Sequence, residues 1–259
     1  MSVDFCHFLS IHMKYLFYLL MLVLSYTPVC EAYKEELKIA SFIEPPYTDL
    51  VDGKLVGESI QIAKLLAKSV GLKPTFIRCP FARCLSMVKH GQADMILGLM
   101  KLPEREKELL FLNPAYMVQH YPLRFFTLST KKIVINSFDD LNKLLVGTLR
   151  GGNYFELFDN DKRITKIEIT SREQLVQMLL RGRVDTFIDR EESILPLLSP
   201  EEYKKKITLA DYQYAKPVKV YIAISQNSDV STYAGRLSKQ LNKFVTDGTI
   251  TTIRTGQRN

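Results

Sequence analysis

From residue 37 onward, apolar positions fall into short blocks that switch between unbroken runs and a 3.6-residue period. That is the signature of alternating strands and helices. Residues 37–41 read as a buried strand, followed by a Pro45-Pro46-Tyr47 loop and an Asp52-Gly53 turn. Ser59 is expected to cap a helix running to Val70, with Ile62, Leu65 and Leu66 on one face and Gly71 ending it. A strand over 73–78, a helix over 81–90 and a strand over 95–97 follow. Pro103-Glu104-Arg105 opens a polar helical turn that ends near Phe111 and Pro114. Residues 121–128 form a strand, and Ser137 caps a helix. Strands over 145–148, 167–169 and 184–188 then alternate with helices starting at Tyr154 and Arg172. Residues 218–225 form another strand, and 230–247 a long amphipathic helix ended by Gly248.

Within this pattern, residues 85–98 are echoed 91 positions later by residues 176–189. Each copy reads as the end of a helix, a glycine (Gly91, Gly182), and an aspartate (Asp94, Asp185) opening a short apolar strand. A helix feeding a buried strand through a tight turn is half of a βαβ crossover. Two copies imply two similar α/β lobes. Ligands in open α/β sheets lie beyond the carboxyl ends of the strands, here Gly98 and Asp189, so the repeat points to a cleft between lobes. The repeated aspartates themselves read as structural: short acids capping a turn before a strand.

Ahead of these blocks, residues 15–26 form an apolar run behind Lys14, of signal-peptide length and too short for a membrane span. Cys30 and Ala32 put small residues at −3 and −1, so residues 1–32 are expected to be a cleaved signal peptide. Residues 1–12 hold Asp4 but no Lys or Arg, so Met13 is the expected start. Residues 1–32 contain one Lys (Lys14) and two acids (Asp4, Glu31), leaving 227 residues with 34 basic and 26 acidic side chains, net +8. The basic residues are scattered, and export separates the chain from nucleic acid, so the charge favours anionic small ligands or an anionic surface. Two cysteines remain, Cys79 and Cys84. An even count in an oxidising compartment and a spacing across a strand–helix turn favour a disulfide over two thiols or a metal site.

Several short segments, in order, resemble the family 3 periplasmic solute-binding proteins, the amino-acid-type receptors of ABC transporters. They are the signal peptide, residues 37–40 leading to Pro45-Pro46-Tyr47, and residues 52–57. Gly91-Gln92-Ala93-Asp94 and Pro103-Glu104-Arg105 follow, then Phe111 with Pro114 and Tyr116. Val146-Gly147-Thr148, Gly182-Arg183-Val184-Asp185 and Asp247-Gly248-Thr249-Ile250 complete the set. The resemblance implies an α/β protein of the two-lobed periplasmic-binding-protein type II fold. Each lobe would be a mixed sheet flanked by helices, joined to the other by two crossing strands. Residues 33–121 and 222–259 would form lobe 1, and residues 122–221 lobe 2.

The same resemblance implies site residues. Arg105 matches the arginine that grips a ligand carboxylate, a task suited to the bidentate guanidinium fork. Tyr47 matches an aromatic that packs on the ligand. Phe81 stands either as the opposite apolar wall or as a core residue, and backbone at Gly98 approaches the ligand. The chain departs from the family at three positions. Met100 stands where a Ser or Thr hydroxyl is usual, and a thioether donates no hydrogen bond. Asn153 follows Gly151-Gly152 where Ser or Thr is common, either capping a helix or touching ligand. Arg190 stands where the family places the acid for an α-ammonium, with Asp189 one residue earlier. Either Asp189 keeps that role or Arg190, with Arg150 near the same rim, favours a more anionic ligand.

The function expected is capture of a small polar solute, an amino acid or related carboxylate, in the periplasm. Delivery would be to an ABC permease in the inner membrane, by a monomer with no cofactor or metal and no nucleic-acid partner. One alternative is an enzyme on the same scaffold, similar to cyclohexadienyl dehydratases, with Glu44 as the suspected acid. Another is a sensory ligand-binding module. No nucleophile elbow, P-loop or zinc-helix pattern occurs.

Overall fold

The two repeated segments fold alike. A computed structural model describes residues 36–256, and the expected signal peptide lies outside them. The first stretch runs β1 (Glu36–Ser41), the hairpin β2 (Asp49–Val51) and β3 (Lys54–Val56), α1 (Glu58–Ser69) and β4 (Lys73–Arg78). It continues with α2 (Phe81–Lys89), β5 (Met95–Leu99), α3 (Pro103–Glu106), β6 (Leu109–Phe111) and β7 (Met117–Gln119). The second runs β8 (Leu123–Leu128), a 3-10 turn at Phe138–Lys143, β9 (Leu145–Leu149), α4 (Glu156–Asn160), β10 (Thr165–Ile169) and α5 (Arg172–Leu180). Then come β11 (Thr186–Arg190), α6 (Glu191–Ile194), α7 (Pro200–Lys206) and β12 (Ile207–Tyr214). The chain ends with β13 (Val218–Ser225), α8 (Ala234–Thr246) and α9 (Thr249–Gly256).

One sheet has the order β4-β1-β5-β13-β6, with β7 also paired to β13; the other has the order β10-β9-β11-β8-β12. In each sheet the first three strands are parallel and the fourth runs antiparallel to them. The chain leaves the first sheet between Gln119 and Leu123 and returns between Tyr214 and Val218.

The repeated aspartates hold these sheets in the same way. Asp94 Oδ2 accepts the Lys38 backbone N–H (2.7 Å), and Asp185 Oδ2 accepts that of Leu145 (3.0 Å). In return, the Asp94 and Asp185 backbone N–H groups donate to the carbonyls of Lys38 and Leu145. Each acid thus ties the turn after a helix to the start of the neighbouring central strand. The turn needs a left-handed residue just before it, and Gly91 (φ 71°) and Gly182 (φ 67°) supply that conformation without steric cost.

Among the described residues, three apolar clusters form the core. One packs α1 and α8 on the first sheet through Leu37, Ile62, Leu66, Ile222 and Leu237; another fills the second sheet around Phe125, Phe158 and Ile188. The third runs through both sheets, from Phe42 and Phe81 to Leu149 and Phe187. Fully burying such a side chain contributes roughly 1.5–3 kcal/mol.

The elements differ from the expected ones at several points. Helix α1 begins at Glu58, behind a Gly57 cap without a side-chain bond, and Ser59 is buried in the first turn, donating its backbone N–H to the Tyr47 carbonyl. The helical turn at Pro103 stops at Glu106, and residues 109–111 form β6, which pairs with β13. Ser137 does cap its segment, through a capping box with Asp140, but the segment is 3-10 rather than α. The cysteines behave as expected: Cys79 and Cys84 form a disulfide.

Candidate functional site

The carboxyl ends of β1, β5, β9 and β11 converge on a cavity of about 70 Å³. Its walls come from both sheets: Phe42, Glu44, Phe81, Gly98, Met100 and Arg105 on one side, and Leu149, Asn153, Tyr154, Arg172, Asp189 and Arg190 on the other. Gly98 (φ 88°) is required here, since a Cβ would stand 2.9 Å from the Phe42 ring. Phe42 meets Phe81 edge to face, with ring centroids 4.8 Å apart.

Arg105 enters from α3 and is only 4 % exposed. It donates from Nη1 to the Met100 carbonyl (3.1 Å) and from Nη2 to the Gly151 carbonyl (3.2 Å) and Asn153 Oδ1 (2.7 Å). All three acceptors are neutral, and among the described residues no carboxylate lies within ion-pair distance of it. Burial pulls its pKa below the ordinary arginine value, with Glu104 and Asp159 opposing. A buried guanidinium without a paired counter-charge is costly. The guanidinium also lies over the Phe81 ring, 5.8 Å from its centroid.

Arg172, the first residue of α5, carries the second constellation. Its Nε donates to Asp189 Oδ2 (2.9 Å), Nη2 to Glu44 Oε1 (3.0 Å) and Nη1 to the Ile43 carbonyl (3.2 Å). Burial disfavours its charge, but Asp189 and Glu44 outweigh burial and hold it protonated. Burial raises the Glu44 pKa above the ordinary carboxylate range, helped by the nearby Asp189 charge and opposed by Arg172 and Arg190. Asp189 also accepts, through Oδ1, the backbone N–H of Arg190 (2.8 Å).

Of the expected site residues, the cavity brings together Phe81, Gly98, Met100, Arg105, Asn153 and Asp189, with Arg190 beside them. Tyr47 lies outside the cavity lining. It is buried in the core of the first sheet, and its hydroxyl donates to Glu192 Oε1 (3.4 Å). Arg150 is exposed and pairs with Glu168. Asn153 neither caps α4, whose N-cap is Phe155, nor is free, since it accepts from Arg105. Arg172 was missed as a site residue, although a signal existed: 172 lies 91 residues after 81, so Arg172 is the repeat counterpart of Phe81, as Asp189 is of Gly98.

A larger cavity of about 430 Å³ abuts the first, sharing Phe42, Phe81, Leu149 and Arg172, with the Cys79 end of the disulfide on its far wall. Among the described residues there is no group of three or more His, Cys, Asp or Glu placed to hold a metal ion. None of the described helices is long and apolar enough to cross a membrane.

The chain is similar to the histidine-binding periplasmic protein of Escherichia coli K12, 25% identical over 217 residues that cover 79% of each chain. Its fold is similar to that of an ancestral arginine-binding protein bound to arginine (TM-score 0.72, 21% identity, 87% of this chain and 99% of that one). It is also similar to an ancestral amino-acid-binding protein described as a precursor of cyclohexadienyl dehydratase (TM-score 0.66, 19% identity, 86% and 95%). The two-lobed binding-protein fold expected from the sequence is the fold observed. Residues 37–255 match the model of bacterial extracellular solute-binding proteins, family 3, and the chain belongs to that family.

Proposed function

We propose that this protein captures a small carboxylate-bearing solute in the periplasm and delivers it to an ABC permease of the inner membrane. The observation that carries the reading is Arg105, buried at the cavity with no carboxylate at ion-pair distance among the described residues. The relatives named for amino-acid binding support it. The lobes expected at residues 33–121 with 222–259 and at 122–221 follow the sheet that each described strand joins, except at the return crossing, where Val218–Tyr221 already pair in the first sheet as part of β13. Arg105 to Asn153 and Arg172 to Glu44 then close the cleft from opposite lobes. At about 70 Å³ the closed cavity is far below the roughly 300–1,000 Å³ of ordinary ligand sites. Entry of solute therefore requires the lobes to part and re-form around it. The test is mass spectrometry of small molecules released from the purified protein, followed by calorimetric titration of each candidate. Failure of every carboxylate to bind would reject the reading.

A second reading has one observation in its favour. Glu44 is a buried carboxyl at the cavity with a raised pKa, the property of a general acid, on a scaffold related in fold to an enzyme precursor. Incubating the bound solute with excess protein and searching for a product separates the readings. Turnover that is lost in Glu44→Gln while binding persists would establish the enzyme.

A further inference from the structure

The cavity holds more guanidinium than its own acids can use. Arg105, Arg172 and Arg190 line it against two carboxylates, Glu44 and Asp189. Arg172 consumes both of those: its Nε and Nη2 take Asp189 and Glu44, and its remaining terminal nitrogen takes a backbone carbonyl. Arg105 donates only to neutral acceptors, and Arg190 pairs with no carboxylate within 4.0 Å among the described residues. The Nε of Arg190 is buried and has no hydrogen-bond partner. Two cavity guanidiniums therefore lack a carboxylate at pairing distance among the described residues, one on α3 beside the first sheet and one at the end of β11 of the second, although Glu44 and Glu192 lie near enough to Arg190 to interact with its charge.

The acid that an α-ammonium would seek is already engaged by a cation. Asp189 accepts from Arg172 through Oδ2 and from the Arg190 backbone N–H through Oδ1. An incoming ammonium would be a fourth cation beside Glu44, Asp189 and the ligand's own carboxylate, repelled by Arg172 at the spot where it must dock. Where a hydroxyl would strengthen the grip on an amino acid, Met100 presents an apolar surface, as do Phe42 and Phe81, suited to a short methylene chain.

We propose that the cavity takes a small dicarboxylate without an ammonium group, one carboxylate on Arg105 and the other on Arg190. This rests on the carboxylate-binding reading above and narrows it. With Glu44 and Asp189 ionised, the five charged side chains sum to +1, so a dianion leaves the closed site at −1. Glu44, whose pKa burial already raises, is placed to take up one proton on binding and bring the site to neutrality.

The test is calorimetric titration of the protein, refolded after denaturant washing to strip carried solute. The probes are succinate, glutarate, butyrate, glutamate, glutamine, arginine and histidine. The expected result is that succinate or glutarate binds at least about tenfold more tightly than butyrate, glutamate or glutamine, the gain from one more charge-assisted pair. Arg190→Gln should bring the diacid down to the butyrate level and leave butyrate within about threefold. The exposed Arg236→Gln should change neither. Titration in buffers of different ionisation enthalpy should show proton uptake with the diacid. Arginine, histidine, glutamine or glutamate binding tenfold more tightly than both diacids overturns the dicarboxylate assignment and leaves the solute-binding reading standing. A diacid affinity unchanged in Arg190→Gln also overturns it. If no carboxylate in the series binds, both readings fail together. The wild-type series alone decides the ligand class, so the outcome does not depend on a variant folding.

Discussion

Arg172 donates from Nη2 to Glu44 Oε1 at 3.0 Å, joining the first residue of α5 to the loop that follows β1. Because the same guanidinium also holds Asp189, one side chain ties the two sheets together and pairs with both acids of the cavity. Glycine and an aromatic occupy the matching positions of the first half, Gly98 and Phe81. The second half therefore supplies charge where the first supplies shape.

Replacing Arg105 should separate binding from folding only in part. Arg105→Ala leaves a ligand carboxylate unpaired in the closed cavity, a loss of roughly 2–5 kcal/mol of binding, mostly as faster release. Arg105→Lys should recover only a fraction, lacking the bidentate fork. Because Arg105 is buried and donates to Gly151 and Asn153, Arg105→Ala should also favour an open cleft without ligand. Small-angle scattering would detect that opening. Equal affinities of wild type and Arg105→Ala for the released solute would remove Arg105 from the site.

The pH dependence of stability should carry the mark of Glu44. Its native pKa lies above the unfolded value, so the folded state binds a proton more tightly. The stability contributed is fully present below about pH 4.3, the ordinary carboxylate value, and is lost as pH rises through the raised native value. Glu44→Gln should flatten that decline, since its amide cannot ionise yet still offers an oxygen to Arg172. Urea unfolding of both proteins from pH 4 to 8, without ligand, checks this. Parallel curves would show that Glu44 does not titrate differently on folding.

Asp94 and Asp185 should prove structural. Asp94→Ala removes acceptors from the Lys38 N–H and the Ser228 hydroxyl in a buried setting and should cost about 1–3 kcal/mol. Asp185→Ala should cost less, because its side chain is partly exposed and water can replace it at the Leu145 N–H. Chemical denaturation gives both values. Solute affinity should be unaltered in each, and a specific loss of binding with intact stability would reassign them.

The Cys79–Cys84 disulfide closes a short loop that contains Phe81. Alkylation without reductant should leave the folded protein unlabelled by intact mass. The double variant Cys79→Ala with Cys84→Ala should lose about 2 kcal/mol of stability, the chain-entropy value for a loop this short. A larger effect on binding than on stability would mean that the bridge chiefly positions Phe81 on the cavity wall.

The repeat, the alternating strands and helices, and the two equivalent aspartates were all determined by local pattern. Gly91 with Asp94, and Gly182 with Asp185, each encode a turn whose geometry depends on a few neighbouring residues. Arg105 was legible for a different reason, because it sits within a short segment resembling a known family. What sequence alone did not decide were features created by contacts far apart in the chain. Strand β12 lacks a clean two-residue alternation, with only Ile207 and Ala210 buried, and interrupts its register on β8 between Leu209 and Gln213; only pairing with β8 identifies it. Helix α9 is built from β-branched Thr and Ile, poor helix formers, and its contacts with α8 and α1 override that propensity. Tyr47 is removed from the cavity lining by packing in the core of the first sheet and by its bond to Glu192, 145 residues away. Above all, Arg172 read locally is an ordinary first-turn residue of a helix. It becomes the centre of the cavity because tertiary structure brings Glu44, from 128 residues earlier, against it in a buried site. There each charge is stable only with its partner, so the chain must close for the group's role to exist at all.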